Sequence, residues 1–257
     1  MFIPLHDANS LRHIRAQYVT IAIIAINVAV FLLTGFNGQQ ALIADALGYG
    51  YVPSVVHDIN ELTPDLVRVP EELTYVTYAF MHGDLMHLGG NMLFLWVFGD
   101  NLEDQMGPVG FAAFYLACGV AAALTHIAAD PGSPIPTVGA SGAIAGVMGG
   151  YLLLFPKAKV DVLVIFVFFF WVFTISAWVV LGVWFAIQLF SGLGAPASNG
   201  GVAYWAHAGG FFAGVLLTLP VWLKRGARGF WLRNDGHPPH PGARYSRSNV
   251  PLIRRKR

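Results

Sequence analysis

The chain has 257 residues, of which 56% are hydrophobic and only 11% are charged, and its mean hydropathy is +0.59. A soluble domain is about 45–50% apolar and about 25% charged. The composition therefore excludes an ordinary soluble protein and predicts an integral membrane protein. The single cysteine, Cys118, excludes an internal disulfide.

Residues 1–16 form a short polar lead, which we expect to be cytoplasmic. The apolar stretch that follows Arg12 and Arg15 has no small-residue cleavage pattern, so it is predicted to be a retained span. One crossing needs about 20 apolar residues. On that rule the chain has six predicted spans, at 17–36, 86–99, 109–129, 141–156, 175–193 and 204–223.

The net charge of +1 hides a strong asymmetry along the chain. With six spans and both termini cytoplasmic, 14 of the 15 basic residues lie on the cytoplasmic side, and only Arg68 lies on the outer side of the membrane. The outer segment 37–85 is instead acidic and is long enough to carry short helices of its own. The distribution of Lys and Arg therefore favours an even number of spans.

Three further segments connect or follow the spans. Val160–Thr174 is apolar and rich in Phe, and the sequence leaves open whether it lies in the interface, re-enters or lengthens a tilted helix. Gly192–Gly201 is a predicted outer loop. The basic tail 224–257 is predicted to be disordered and attracted to anionic headgroups.

The most informative motif is a serine in a glycine-rich turn that opens the short fourth span. Gly139 and Gly142 flank Ser141, and Gly146 follows one turn later. One interpretation is a simple helix N-cap. The other is a nucleophile, because small residues allow another helix to approach closely and a helix N-terminus offers free N–H groups to an oxyanion.

A second motif lies near the start of the sixth span. His207 precedes Gly210 and Gly214, which form a small-residue face that can pack on the glycines of the fourth span. A histidine in hydrocarbon is costly, so a function is the first hypothesis. Both spans run from outside to inside in the predicted topology, which places Ser141 and His207 at the same depth.

A third cluster lies before and at the start of the second span. His87 and Asn91 are four residues apart and share one helix face, and His82 lies just before them. Polar packing, metal ligation and oxyanion donation all remain possible from the residues alone. Metal is the weakest of the three, since no carboxylate or cysteine completes a ligand set.

Together these motifs resemble the rhomboid family of intramembrane serine proteases, over about residues 73–215. The matching residues, in family order, are His82, His87, Asn91, Glu103, Gly107, Gly139, Ala140, Ser141, Gly142, Gly146, His207, Gly210 and Gly214.

The resemblance implies an all-α polytopic membrane protein, a six-helix bundle over 17–223 with a long outer loop and a short fourth helix. It implies that Ser141 is the nucleophile and His207 the base, without an acidic third member. His87, Asn91 and the Ser141 N–H would form the oxyanion hole. Supporting roles would fall to His82, Gly139, Gly142, Gly146, Gly210, Gly214 and Glu103.

The implied substrates are other membrane proteins in the bilayer, cleaved in or near their transmembrane segments, and no cofactor, metal or nucleic acid is implied. Two positions depart from the family pattern: Leu73-Thr74 replaces a Trp-Arg pair, and Ala145 replaces an aromatic that packs on the imidazole. Trp205 or Tyr204 could orient His207 instead.

Two other function classes are kept as alternatives. One is a non-catalytic relative that binds membrane proteins as a chaperone, which would retain its client proteins after the substitution Ser141→Ala. A small transporter or metal permease would depend on the histidines but not on Ser141. The compact six-span form, without a targeting peptide, favours a bacterial plasma membrane.

Overall fold

The computed structural model describes residues 2–7, 11–166, 169–194 and 203–236. A short 3-10 helix at Tyr78–Phe80 precedes the fifth α-helix. The other elements are β1 (Phe2–Asp7), α1 (Tyr18–Thr34), α2 (Gln39–Tyr49), α3 (Pro53–Val56), α4 (Glu71–Thr77), α5 (Leu85–Met106), α6 (Pro108–Ala129), α7 (Ser141–Leu154), β2 (Lys159–Phe166), β3 (Phe169–Ser176), α8 (Ala177–Gly194), α9 (Tyr204–Lys224) and α10 (Arg228–Asn234).

The protein is mostly helical, and each of the six predicted spans coincides with a helix, namely α1, α5, α6, α7, α8 and α9. By length and composition, α6, α8 and α9 are able to cross a membrane, while α1 and α7 are shorter apolar helices. The last turns of α5 carry the acidic residues Asp100, Glu103 and Asp104.

The outer segment 37–85 contains the short helices α2, α3 and α4, as predicted. It is tied to the glycine-rich turn by two backbone hydrogen bonds. Thr137 N–H donates to the Tyr51 carbonyl at 2.8 Å, and Gly139 N–H donates to the Tyr78 carbonyl at 2.9 Å. The outer segment therefore helps to hold the chain just before Ser141.

The expectation of an all-α fold needs a correction, because β1, β2 and β3 form a three-stranded antiparallel sheet in that order. The sequence left the conformation of Val160–Thr174 open, and the described residues of this segment lie in the strands β2 and β3 rather than in a helix. The run is rich in β-branched and aromatic residues, which favour strands. Hydropathy alone does not distinguish such a run from a membrane helix.

The sheet is attached to the helices through β1, which lies in the segment 1–16 that was predicted to be a short polar lead. The Asp7 carboxylate is buried and accepts hydrogen bonds from Asn101 Nδ2 of α5 at 2.9 Å and from the Tyr151 hydroxyl of α7 at 2.7 Å. On β2, Val160 and Val162 are fully buried. The residues 169–174 of β3 are exposed.

The predicted disorder of the tail 224–257 is wrong for its first part. α9 continues to Lys224 and α10 follows directly, with Phe230 packed near Phe155. Trp231 Nε1 also donates a hydrogen bond to the Leu153 carbonyl at 3.0 Å. Residues 237–257 and most of the predicted loop Gly192–Gly201 lie outside the described residues.

α7 is the central helix, and residues 142–151 are all buried. Its most extensive contact is with α9. A Cβ at Gly210 would collide with the Gly142 carbonyl, and a Cβ at Gly214 would collide with the Gly146 carbonyl. The two backbones are therefore in direct contact, in parallel orientation, at two successive turns.

We expect the substitution Gly214→Ala to destabilise the protein by about 1–3 kcal/mol, because the new methyl group forces α7 and α9 apart. The matched control is Gly182→Ala on α8, where an added Cβ meets nothing within 4 Å. Alanine there should be neutral or stabilise the helix by up to about 1 kcal/mol. Unfolding in detergent titrated with dodecyl sulfate measures both; equal effects would contradict the close contact.

Candidate active site

Ser141 and His207 meet at the N-terminal ends of the two parallel helices. Ser141 is the first residue of α7 and His207 the fourth residue of α9. The Ser141 hydroxyl and His207 Nε2 are 2.7 Å apart, within hydrogen-bonding distance. The N-cap position of α7 is occupied by Ala140, so Ser141 is the first residue inside the helix. The N-cap interpretation of Ser141 is therefore not what the structure shows.

The other ring nitrogen of His207 has a partner on α8 that the sequence analysis did not identify. His207 Nδ1 lies 2.8 Å from Oε1 of Gln188, and both residues are only 8% exposed. Because an amide oxygen accepts, Nδ1 carries the proton and the Nε2 lone pair faces the serine hydroxyl.

An aromatic ring on α8 also contacts the imidazole. The Trp184 and His207 ring centroids are 5.7 Å apart, and the planes are tilted by 37°. Trp184 and Gln188 are four residues apart, so one face of α8 supplies both contacts. Trp205, considered above for this role, lies with Tyr204 against Gly192. The sequence does contain one indication of this role: Gln188 is the only Gln in the apolar helix α8, and polar residues in a span commonly have a function.

The turn before Ser141 depends on Gly139, whose φ of +122° is unfavourable for any residue with a side chain. A Cβ at this position would lie 2.6 Å from His87 Nε2 and 3.8 Å from Asn91 Nδ2. The side chains of His87 and Asn91 therefore lie directly beside the backbone that leads into the serine. The third sequence cluster and the first form one site.

His82 completes this side of the site. Asn91 Nδ2 lies 3.0 Å from His82 Nε2 and donates to it, which leaves the second amide hydrogen of Asn91 available. The His82 and His87 rings are in edge contact, with centroids 5.0 Å apart. Asp84 caps α5 by accepting from the His87 backbone N–H at 2.8 Å. The cap fixes where α5 begins and so where His87 points.

Unlike Gly139, the glycines Gly142 and Gly146 that were expected to support the site lie at contacts between helices. A Cβ at Gly142 would lie 2.6 Å from that of Ala122 on α6. A Cβ at Gly146 would collide with Cys118 and lie 3.1 Å from the Gly210 carbonyl. Their role is therefore to bring α6, α7 and α9 together.

Glu103, also expected to support the site, lies far from it. It is 16 residues beyond His87 on α5, which is about 24 Å along a helix. Its fully buried carboxylate accepts hydrogen bonds from the backbone N–H groups of Val19 and Thr20, each at 2.9 Å. Glu103 thus caps the start of α1, where a negative charge is favourable.

The side chains of His207, His87 and Asn91 thus all lie close to the turn that carries Ser141. Among the residues that the structure describes, no three His, Cys, Asp or Glu side chains are grouped in a way that could hold a metal ion. The neutral amide of Gln188 contacts His207 Nδ1. In serine hydrolases this nitrogen is commonly contacted by a carboxylate.

The chain is similar to known proteins over the segment that carries this site. A family model described as the Rhomboid domain matches residues 70–224. Rhomboid protein 1 of Saccharomyces cerevisiae, a mitochondrial protein, is 34% identical over 152 residues, which are 58% of this chain and 41% of that protein.

A plant protein and a bacterial protein also match. Rhomboid-like protein 11 of Arabidopsis thaliana, a chloroplastic protein, is 32% identical over 158 residues, 60% of this chain and 53% of its own length. The rhomboid protease GluP of Bacillus subtilis is 30% identical over 133 residues, 52% of this chain and 24% of its own length. The matched segment thus spans between 24% and 53% of these three relatives.

Proposed function

This chain belongs to the rhomboid family, and we propose that it is an intramembrane serine endopeptidase that cleaves transmembrane segments of other membrane proteins. The observation that carries the proposal is the 2.7 Å contact between the Ser141 hydroxyl and His207 Nε2. A serine within hydrogen-bonding distance of an oriented imidazole is the arrangement that activates a hydroxyl nucleophile.

The proposed membrane arrangement has six spans, α1, α5, α6, α7, α8 and α9, with both termini in the cytoplasm of a bacterium. The concentration of Lys and Arg on the inner side supports it. α7 has 14 residues and is about 21 Å long, shorter than the hydrocarbon layer of about 30 Å. Ser141 therefore lies below the outer surface, and hydrolysis there needs a cavity lined by polar groups.

In the proposed reaction the Ser141 oxygen attacks the carbonyl carbon of the scissile peptide while His207 Nε2 takes the hydroxyl proton. The same proton then passes to the leaving amine as the C–N bond breaks, which leaves an acyl-enzyme. Water, deprotonated by His207 Nε2, attacks the ester carbonyl carbon. The C–O bond to Ser141 then breaks, the serine oxygen takes the proton back from Nε2, and the new carboxyl end is released. No cofactor or metal takes part in this proposal.

The developing oxyanion would be stabilised by three donors around the turn. They are the backbone N–H of Ser141, the His87 ring and the second amide hydrogen of Asn91. The proximity of His87 Nε2 and Asn91 Nδ2 to Gly139 supports this role. His82 would act indirectly, because its bond to Asn91 holds the amide in place.

Gln188 is proposed as a positioning residue for the base. By accepting from Nδ1, it keeps the Nε2 lone pair directed at the serine hydroxyl. The amide carries no charge, so it stabilises the protonated imidazole of the transition state less than a carboxylate would. The expected result is an orienting effect without the charge stabilisation of a triad.

The first test is cleavage of a generic transmembrane substrate in liposomes, together with labelling by a fluorophosphonate probe. Wild type should cleave and be labelled, and both Ser141→Ala and His207→Ala should lose at least about 10³-fold in rate. The opposite result would be a folded wild-type protein that is neither labelled nor active and that retains client proteins as well as the Ser141→Ala variant does. That result would contradict the protease proposal and favour the non-catalytic binding alternative.

Removal of one oxyanion donor should lower kcat by about 10²–10³-fold with little change in KM, because the interaction forms only in the transition state. The variants are Asn91→Ala and His87→Ala. His57→Ala, a histidine of the outer segment on the C-cap of α3, is the control and should retain full activity. A change confined to KM would place these side chains in substrate binding instead.

The role of Gln188 is tested by comparing Gln188→Leu with Gln188→Glu across pH. Loss of a hydrogen bond worth about 1.4 kcal/mol predicts about a tenfold lower kcat for the leucine variant at every pH. A carboxylate beside the ring favours the protonated imidazole, so the acid limb of the glutamate variant should move to higher pH while activity returns on the alkaline side.

Ile187→Ala, at an exposed neighbouring position on α8, is the matched control and should have the wild-type profile. If Gln188→Glu loses activity without any displacement of its pH profile, Gln188 has only a packing role. Fluorophosphonate labelling of Ser141 in each variant separates this outcome from a failure of the protease proposal itself.

A further inference from the structure

Two adjoining cavities lie at the end of the bundle opposite to Ser141. Both are lined by Gln105 at the end of α5 and by Arg225 just after α9. Lys224, on the rim of the larger one, is 17 residues from His207 along α9, or about 25 Å. The cavities are therefore separate from the site already described.

The larger cavity is a groove between α6 and α9 with a volume of about 670 Å³. Its walls are apolar over most of their length. Small residues on one side of α6, namely Gly110, Ala113 and Ala117, leave the space, and Leu217 and Val221 of α9 form the opposite wall. A groove of this shape between membrane helices suits an acyl chain rather than a polar molecule.

The smaller cavity, of about 410 Å³, is basic. Arg12, Arg225 and Arg233 line it together with His13. Two of the three guanidinium groups donate to backbone carbonyls, Arg225 to Gln105 at 3.3 Å and Arg233 to Arg225. Each guanidinium has five N–H donors, so most of the donors remain available to an anion.

No carboxylate among the described residues lines either cavity. Two acidic residues lie near them. Asp104 Oδ1 accepts the backbone N–H groups of Arg12, His13 and Ile14, and Asp235, which follows the lining residue Asn234, accepts a hydrogen bond from Lys157 Nζ at 2.6 Å. The Oδ2 atom of Asp104 is 2.9 Å from the His13 ring. The sequence after Gly236 contains no Asp or Glu.

We propose that the two cavities together form a binding site for one anionic phospholipid. The phosphate would lie among Arg12, Arg225 and Arg233, where guanidinium groups give bidentate contacts to phosphate oxygens. One acyl chain would lie in the groove between α6 and α9. Charge complementarity favours this occupant, because converging arginines without a carboxylate repel one another until an anion lies between them.

The test uses the full chain, purified in detergent and stripped of lipid, with binding measured by native mass spectrometry. The probes are phosphatidylglycerol and phosphatidylcholine with the same acyl chains. Each basic side chain near an anionic headgroup contributes about fivefold in affinity. Wild type should therefore prefer phosphatidylglycerol by at least about tenfold, and the double variant Arg225→Gln/Arg233→Gln should lose that preference.

Arg228→Gln is the matched charge control, because Arg228 is exposed on α10 and lines neither cavity. It should keep the preference for phosphatidylglycerol. An equal loss in Arg228→Gln would overturn the proposal and show a general attraction of the basic surface. Equal affinity of wild type for the two lipids would overturn it as well.

A second variant tests the groove. Ala117→Leu fills the space between α6 and α9, so it should weaken phosphatidylglycerol binding while leaving the binding of inorganic phosphate unchanged. If Ala117→Leu has no effect and inorganic phosphate competes as strongly as the lipid, the basic cavity is a free phosphate site and the lipid proposal is wrong. Thermal unfolding of each variant shows that the fold is retained.

Discussion

The direct backbone contact between α7 and α9 determines the rest of the structure. Gly210 lies against the Gly142 carbonyl and Gly214 against the Gly146 carbonyl, one helical turn further along. Two such contacts allow only one register, because a slip of either helix by one residue would place a side chain between the backbones. At the contact between Gly142 and Gly210, Ser141 comes one residue before Gly142, and His207 comes three residues before Gly210. The 2.7 Å distance between the Ser141 hydroxyl and His207 Nε2 therefore follows from the register.

Burial makes hydrogen-bond partners necessary for the polar groups that this packing brings together. Leaving a polar group unpaired in an apolar environment costs several kcal/mol. The His207 ring has a partner on each side, Ser141 and Gln188, and the buried His82 has Asn91. These partners also orient the groups. The same hydrogen bonds that make burial tolerable therefore direct the Nε2 lone pair and the Asn91 amide toward the serine turn.

Much of the fold and part of the site could be predicted from the sequence. The predicted spans coincide with helices, and the glycine spacings around Ser141 and His207 predicted their approach because packing of small residues is a local property of each helix. The β2–β3 hairpin could not be separated from a helix by hydropathy, since both of its strands are apolar. Glu103 was placed with the site because motif order carries no distance along a helix.

Gln188 shows a different limit of sequence analysis. Its significance depends on a contact with His207, which is 19 positions further along the chain and on a different helix. The unusual feature, one amide in an 18-residue apolar helix, indicates a function but not its partner. The partner follows only when α8 packs beside α9 and places Gln188 and Trp184 against the same ring.

Apart from the Ser141 hydroxyl, the contacts that hold the His207 ring come from α8 rather than from α7. α7 has Ala145 one turn after the serine, and this small side chain has no ring to pack on the imidazole. Trp184 and Gln188 of α8 provide the contacts instead. A hydrogen bond of 2.8 Å is lost when its atoms separate beyond about 3.5 Å, so a displacement of α8 by about 1 Å would release Nδ1. The orientation of the His207 ring therefore depends on the position of α8, and the ring stays oriented only while α8 keeps that position.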